Sequence, residues 1–187
     1  MSALEWIATV LGIACVGLGV VRSVWTFPTG IASVALVAVV VWRERLYSDA
    51  LLQVFFVAAN AYGWVNWARS RAEAGEVVVE RLGARARLFW ALACVTGWLC
   101  WAWPIYRFTD AAYPWWDGAI AVVSVAAQVL MARRAWENWA LWIAVDLASI
   151  PLYLVKHLNA LAGLYVVYLG LAIWGLIDWT RARRAAA

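Results

Sequence analysis

Tyr62-Gly63-Trp64-Val65-Asn66-Trp67-Ala68-Arg69 closes one long apolar stretch of this chain, and Trp174-Gly175-Leu176-Ile177-Asp178-Trp179-Thr180-Arg181 closes another. Laid side by side without a gap, Gly, Trp and Arg coincide, Tyr stands against Trp, and Asn against Asp, at an offset of 112 residues. The same offset pairs Glu5 with Asp117 and Arg22 with Arg134. Interfacial Trp and Arg are common at the ends of membrane helices, which accounts for one such match. Three ungapped matches point instead to a duplicated unit.

The duplicated stretches sit in a chain of 187 residues that is 67% hydrophobic, with a mean hydropathy of +0.78. Soluble domains average about 45–50% apolar residues, so the solvent of this chain is lipid. Its 16 Trp agree, because Trp gathers at membrane–water interfaces. Apolar windows at Ala3–Val21, Phe27–Trp42, Tyr47–Ala68, Leu88–Trp103, Trp115–Ala132, Trp139–Val155 and Leu158–Trp179 read as seven spans of a hydrocarbon core of about 30 Å, the shortest of them needing a turn of flanking residues to reach across. The expected fold is an all-α membrane protein with seven transmembrane helices in one domain spanning 1–187. Repeat one is 3–69, a connector helix is 88–103 and repeat two is 115–181. Four spans separate each helix from its counterpart, so the copies share one orientation and form 3+1+3 parallel repeats.

With seven spans the termini face opposite sides. If the N-terminus is outside, the inner side holds Arg22, Arg69, Arg71, Arg81, Arg85, Arg87, Arg133, Arg134, Arg181, Arg183 and Arg184. The outer side holds Arg43, Arg45, Arg107 and Lys156. Eleven against four predicts a cytoplasmic C-terminus. The net charge of +4 is thus explained by topology and not by nucleic acid. No positively charged region precedes the first apolar run, which speaks against a cleaved signal peptide. Cys15, Cys94 and Cys100 all lie in apolar segments and read as small buried hydrophobes. One His excludes a multi-His metal cluster, and no Ser/His/Asp set or phosphate loop is visible. The expectation is no enzyme, no metal and no cofactor.

Polar side chains retained mid-span usually face a bundle interior or a wet cavity. Gln53 and Asn60 lie two turns apart on one face of span three, and Trp64 and Trp67 extend that stripe. Gln128 lies on span five, and Asn138 opens span six. Trp139, Trp142 and Asp146 follow at i+3 and i+4 spacing. Asp146 enters span six by about 10 Å. Two readings stand for it: counter-ion or polar hook for a substrate, or a structural partner of Gln128 or an indole N–H. Trp67 and Trp139 also suit an interfacial belt, whereas Trp142 is deeper. Pro151 interrupts span six beside Asp146, and a helix break near an intramembrane charge points to a transport site. Pro28 falls in the first turn of span two, where Pro is tolerated. Gly12, Gly17 and Gly19 suit close helix contact.

The runs Gln53-Val54-Phe55-Phe56 and Asn60-Ala61-Tyr62-Gly63-Trp64 with Trp67 resemble the third-helix signature of the bacterial nicotinamide riboside transporter family (the Pnu-type vitamin transporters). Trp116-Asp117, Gln128, Glu137-Asn138-Trp139, Trp142, Asp146, Pro151-Leu152-Tyr153 and Lys156 resemble its fifth and sixth helices. The resemblance runs in order over nearly the whole chain and departs in a short N-terminus and a short fourth-to-fifth link. It implies a fold similar to the SWEET sugar transporters, a homotrimer, and facilitated diffusion of nicotinamide riboside, trapped afterwards by a cytoplasmic kinase. It implies a substrate site at Gln53, Asn60, Trp64, Asn138, Trp139, Trp142 and Asp146, to which the residue reading adds Gln128. It also implies a multi-pass protein of the bacterial cytoplasmic (inner) membrane, with the lipid bilayer and a vitamin as partners. Other members of the family take thiamine or further vitamins, so that alternative stays open. The contrasting class is a membrane scaffold that transports nothing.

Overall fold

A computed structural model describes residues 3–43 and 47–185. Among them are seven α-helices: α1 (Ala3–Val20), α2 (Thr26–Arg43), α3 (Tyr47–Ala74), α4 (Ala84–Phe108), α5 (Pro114–Ala132), α6 (Asn138–Val155) and α7 (Asn159–Ala185). Arg45 lies outside the described residues, and the side chains of Glu5 and Arg43 are not described. Helices α4–α7 are long and apolar enough to cross a membrane, and α1 and α2 carry shorter apolar stretches at Trp6–Val20 and Thr26–Val40. The polar stretch from Arg69 to Arg87 is mostly helical, because α3 runs to Ala74 and α4 starts at Ala84. Pro114 opens α5 with Asp117 in its first turn, both favourable at a helix N-terminus. α6 runs through Pro151.

α2 packs between α1 and α3, and α6 between α5 and α7. The halves meet where α1 touches α7 and where α3 touches α5, and α4 packs on α5. Exchanging α1 with α5 and α3 with α7 turns one of these contacts into the other, as a two-fold axis between parallel repeats requires.

The offset of 112 recurs bond by bond. α1 ends with Arg22 in the left-handed region (φ 56°), and α5 ends with Arg134 at φ 60°. Each closes its helix with the same pair of backbone bonds. Arg22 N donates to Gly19 O (3.1 Å) and Ser23 N to Leu18 O (2.9 Å); Arg134 N donates to Met131 O and Ala135 N to Leu130 O, both 3.0 Å. The indole of Trp67 then donates to Met131 O at 3.0 Å, and that of Trp179 to Gly19 O at 3.2 Å and Val20 O at 3.1 Å. All three bonds cross between the halves. Beside them Asn66 Nδ2 donates to Ala132 O (2.8 Å), and Asp178 pairs with Arg22.

Phe27, Trp67, Trp139 and Trp179 are each at most 1% exposed and form the aromatic part of the buried core cluster. Trp67 meets Phe27 edge-on with centroids 4.9 Å apart, and Trp179 meets Trp139 edge-on at 5.6 Å. Trp67 and Trp139 are therefore core residues and not belt anchors. The cluster fits because Gly63 and Gly175 carry no side chain: a Cβ would stand 2.3 Å from Phe27 and 2.5 Å from Trp139. Of the glycines in α1, Gly12 and Gly19 serve close contacts, but Gly17 faces open space. The reading of the cysteines as buried holds least for Cys100, which is exposed on α4, where contact with lipid makes apolar burial unnecessary.

The α3–α4 link closes the same end of the bundle. Val77 inserts into the aromatic cluster. Glu80 bonds to the α5–α6 turn through its backbone, with its N–H to Arg134 O at 2.9 Å and its carbonyl accepting from Trp136 N at 3.1 Å. The Glu137 carboxylate accepts from Leu82 N (3.1 Å) and from Arg87 (2.9 and 3.0 Å).

Candidate functional site

Between the halves lies a cavity of about 240 Å³. Its lining comes from α1, α2, α3, α5, α6 and α7, and none from α4. Seven pairs of lining residues are related by the 112-residue offset: Val16 with Gln128, Phe27 with Trp139, Gly30 with Trp142, Val34 with Asp146, Gln53 with Tyr165, Phe56 with Tyr168, and Asn60 with Ala172. The scaffold is duplicated while the chemistry is not. Phe27 with Trp139 and Phe56 with Tyr168 keep an aromatic ring in both halves; in the other five pairs a polar or bulky residue is matched by an apolar or smaller one, or an amide by a phenol. Phe27 and Trp139, both members of the buried aromatic cluster, line the cavity toward the arginine-rich end.

Six of the eight expected site residues meet here: Gln53, Asn60, Gln128, Trp139, Trp142 and Asp146. Asn60 is 5% exposed. Its Nδ2 donates to Phe56 O (2.8 Å) and its Oδ1 accepts from Gln128 Nε2 (3.3 Å), an amide pair that bridges the halves. Gln128 is thus engaged with Asn60 and not with Asp146. No hydrogen bond or ion pair holds the Asp146 carboxylate among the described residues, although Asp146 is only 3% exposed. Lys156 pairs with Asp117 (2.8 Å) and Arg22 with Asp178, and none of these four residues lines the cavity. A buried carboxylate without a protein partner, open to a cavity, suits a cationic ligand. Trp142 offers an indole in the same cavity for a flat ring.

Two expected residues lie elsewhere. Trp64 is 44% exposed and lines a separate surface depression with Trp25 and Arg71. The inward arc of α3 runs through Asn60, Gly63 and Trp67, which are all buried, and Trp64 falls outside it. Asn138 is fully buried at the start of α6, donating to Ala135 O at 2.6 Å, and does not line the cavity. It shapes the turn before Trp139. Conversely, α7 contributes Tyr165 and Tyr168, which the residue reading missed. Their rings stack edge-on with centroids 5.7 Å apart. The signal was present: they stand 112 positions after Gln53 and Phe56. Cys15, Thr26 and Ser33 add small polar groups from α1 and α2, with Thr26 Oγ1 donating to Cys15 O (2.7 Å) and Ser33 Oγ to Ala8 O (2.9 Å).

A family profile described as nicotinamide mononucleotide transporter matches residues 2–181. The chain belongs to this family. It is a multi-pass membrane protein of a transporter family. It is 27% identical to the nicotinamide riboside transporter PnuC of Escherichia coli (strain K12), over 98% of this chain and 87% of that one. It is 32% identical to PnuC of Neisseria mucosa, over 96% and 73%. It is also 30% identical to the riboflavin/roseoflavin transporter RibM of Streptomyces davaonensis, over 96% and 86%. Among solved structures it is similar to the crystal structure of the vitamin B3 transporter PnuC, with a TM-score of 0.81 and 31% identity, covering 98% of this chain and 83% of that one.

Proposed function

We propose that this chain carries nicotinamide riboside across the bacterial inner membrane by facilitated diffusion. The observation that carries the reading is the unpartnered Asp146 carboxylate, which shares one cavity with the Trp142 indole. A pyridinium on a ribose needs a flat aromatic surface, a negative charge and hydrogen-bonding groups. Trp142, Asp146 and the Gln53/Asn60/Gln128 amides supply these in turn. Asn138 supports Trp139, and Trp64 has no part in this site.

A cation entering a cell with a negative interior gains about 2.3 kcal/mol per 100 mV. Uptake of such a substrate therefore needs no coupling ion, and phosphorylation inside the cell retains the product. With the N-terminus outside and the C-terminus cytoplasmic, the aromatic cluster closes the cytoplasmic end. Units 3–69 and 115–181 then rock against one another, with the crossing bonds of Trp67 and Trp179 as a latch at the cytoplasmic end and 88–103 as a connector. The apolar face of α4, with exposed Leu88, Phe89, Leu92, Val95 and Leu99, suits packing in a homotrimer.

The similarity to RibM favours a second reading, a larger flat vitamin by the same route. Purified protein in liposomes decides between them. Uptake of labelled nicotinamide riboside, increased by an inside-negative potential, supports the first. Uptake of riboflavin or thiamine without nicotinamide riboside replaces it. No uptake of any of the three favours a scaffold.

A further inference from the structure

Gly30 is buried on α2 and lines the cavity. A Cβ there would stand 2.9 Å from Asn60 Oδ1 and 3.0 Å from Cys15 Sγ. The first contact is with the oxygen that accepts Gln128 Nε2 across the halves. Asn60 cannot swing away without loss, because its Nδ2 is bonded to Phe56 O and the residue is buried. An amide displaced in a low-dielectric interior loses a bond that water does not replace.

The duplicated half shows what this position does elsewhere in the fold. There Trp142 stands where Gly30 is, and Ala172 where Asn60 is. The second half puts its bulk on α6 and leaves α7 small, whereas the first half empties α2 and puts a carboxamide on α3. The two arrangements exclude each other, since a side chain at position 30 and the present Asn60 compete for one space.

We propose that Gly30 is a positioning residue of the binding site. Its bare Cα seats the Asn60 carboxamide and so fixes the Asn60–Gln128 amide pair that a ligand meets opposite Trp142. The role in binding rests on the transport reading above. The alternative is that Gly30 only lets α1, α2 and α3 pack closely, in which case the identity of residue 60 is immaterial.

The test is a double-mutant cycle on the full chain in detergent and in liposomes, with nicotinamide riboside and riboflavin as probes. Gly30→Ala is expected to weaken the affinity of the transported probe about ten-fold while the maximal rate stays within about two-fold. Asn60→Ala weakens it as well, and adding Gly30→Ala to Asn60→Ala changes it by less than about two-fold. Gly163→Ala, where a Cβ meets nothing within 4 Å, leaves affinity unchanged. Cys15→Ala does not restore affinity to Gly30→Ala.

Three results would each overturn the proposal: wild-type affinity in Gly30→Ala, an equal loss with and without Asn60, or rescue by Cys15→Ala. The melting temperature gives a reading without ligand. Gly30→Ala lowers it by a few degrees, and this drop disappears in the Asn60→Ala background. If the wild type binds neither probe, the substrate reading fails and the melting cycle alone judges the seat. If it binds but the cycle is additive, the seat fails and the substrate reading stands.

Discussion

In the proposed function, Asp146 and Trp142 each make a separate demand on the ligand. Loss of a stacking face usually costs about 1–3 kcal/mol, so Trp142→Ala is expected to weaken binding about ten-fold or more in a fluorescence or calorimetric titration. Unchanged affinity removes Trp142 from the site. Asp146→Asn keeps the shape and removes the charge. It should weaken nicotinamide riboside at least about ten-fold while sparing a neutral analogue with a reduced, uncharged ring. Equal losses for both would return Asp146 to a structural role. Much of this site was legible in the sequence, because an amide or carboxylate inside an apolar helix stands out against lipid-facing neighbours. Gln53, Asn60, Gln128 and Asp146 were found in that way. Tyr165 and Tyr168 were not, because a Tyr in an apolar helix is unremarkable without the repeat offset. Trp64 misled because it follows Asn60 by four residues, close enough in angle to share a stripe but outside the arc that α3 buries.

At the scale of helices, the packing of α6 on α7 and of α2 on α3 depends on a ring laid over a glycine. Gly175→Ala brings a Cβ to 2.5 Å from the Trp139 ring, which is fully buried and cannot retreat. Overpacking of this kind costs about 1–3 kcal/mol, so the melting temperature should fall by several degrees. Gly170→Ala on the same helix meets nothing within 4 Å and should hold or raise it slightly. A fall as large in Gly170→Ala would assign the effect to α7 as a whole. Helix number and order followed from hydropathy, whereas the ends did not. α3, α4 and α7 extend past their apolar windows with Arg and Ala, residues that favour helix in water as well. Hydropathy is blind to a helix that leaves the membrane. It was equally blind to Val77, the first of three consecutive valines in the α3–α4 link, which packs into the aromatic cluster.

For the whole molecule, the arginine-rich end is where hydrogen bonds and an ion pair tie one half to the other. The indoles of Trp67 and Trp179 span the halves, each to a carbonyl at the end of the opposing helix. Replacing both by Phe keeps most of the apolar surface and removes both bonds, worth about 0.6 kcal/mol each on membrane-protein averages. In a protein with Cys94 and Cys100 changed to Ser, Cys15 in the cavity should then react about two- to ten-fold faster with a membrane-impermeant thiol reagent applied from the C-terminal side. An unchanged rate would mean that these bonds do not restrain opening. The offset of 112 foretold this symmetry from three matched places, but not that the pairs across the cavity would differ. That difference bears on stoichiometry. A duplicated frame with a duplicated lining would offer two equivalent berths, and a ligand could lie in either direction. Here the indole and the carboxylate come from one half, and the amide seated over Gly30 from the other. Each chain should therefore hold a single ligand in a single orientation, and a calorimetric titration should saturate at one per chain.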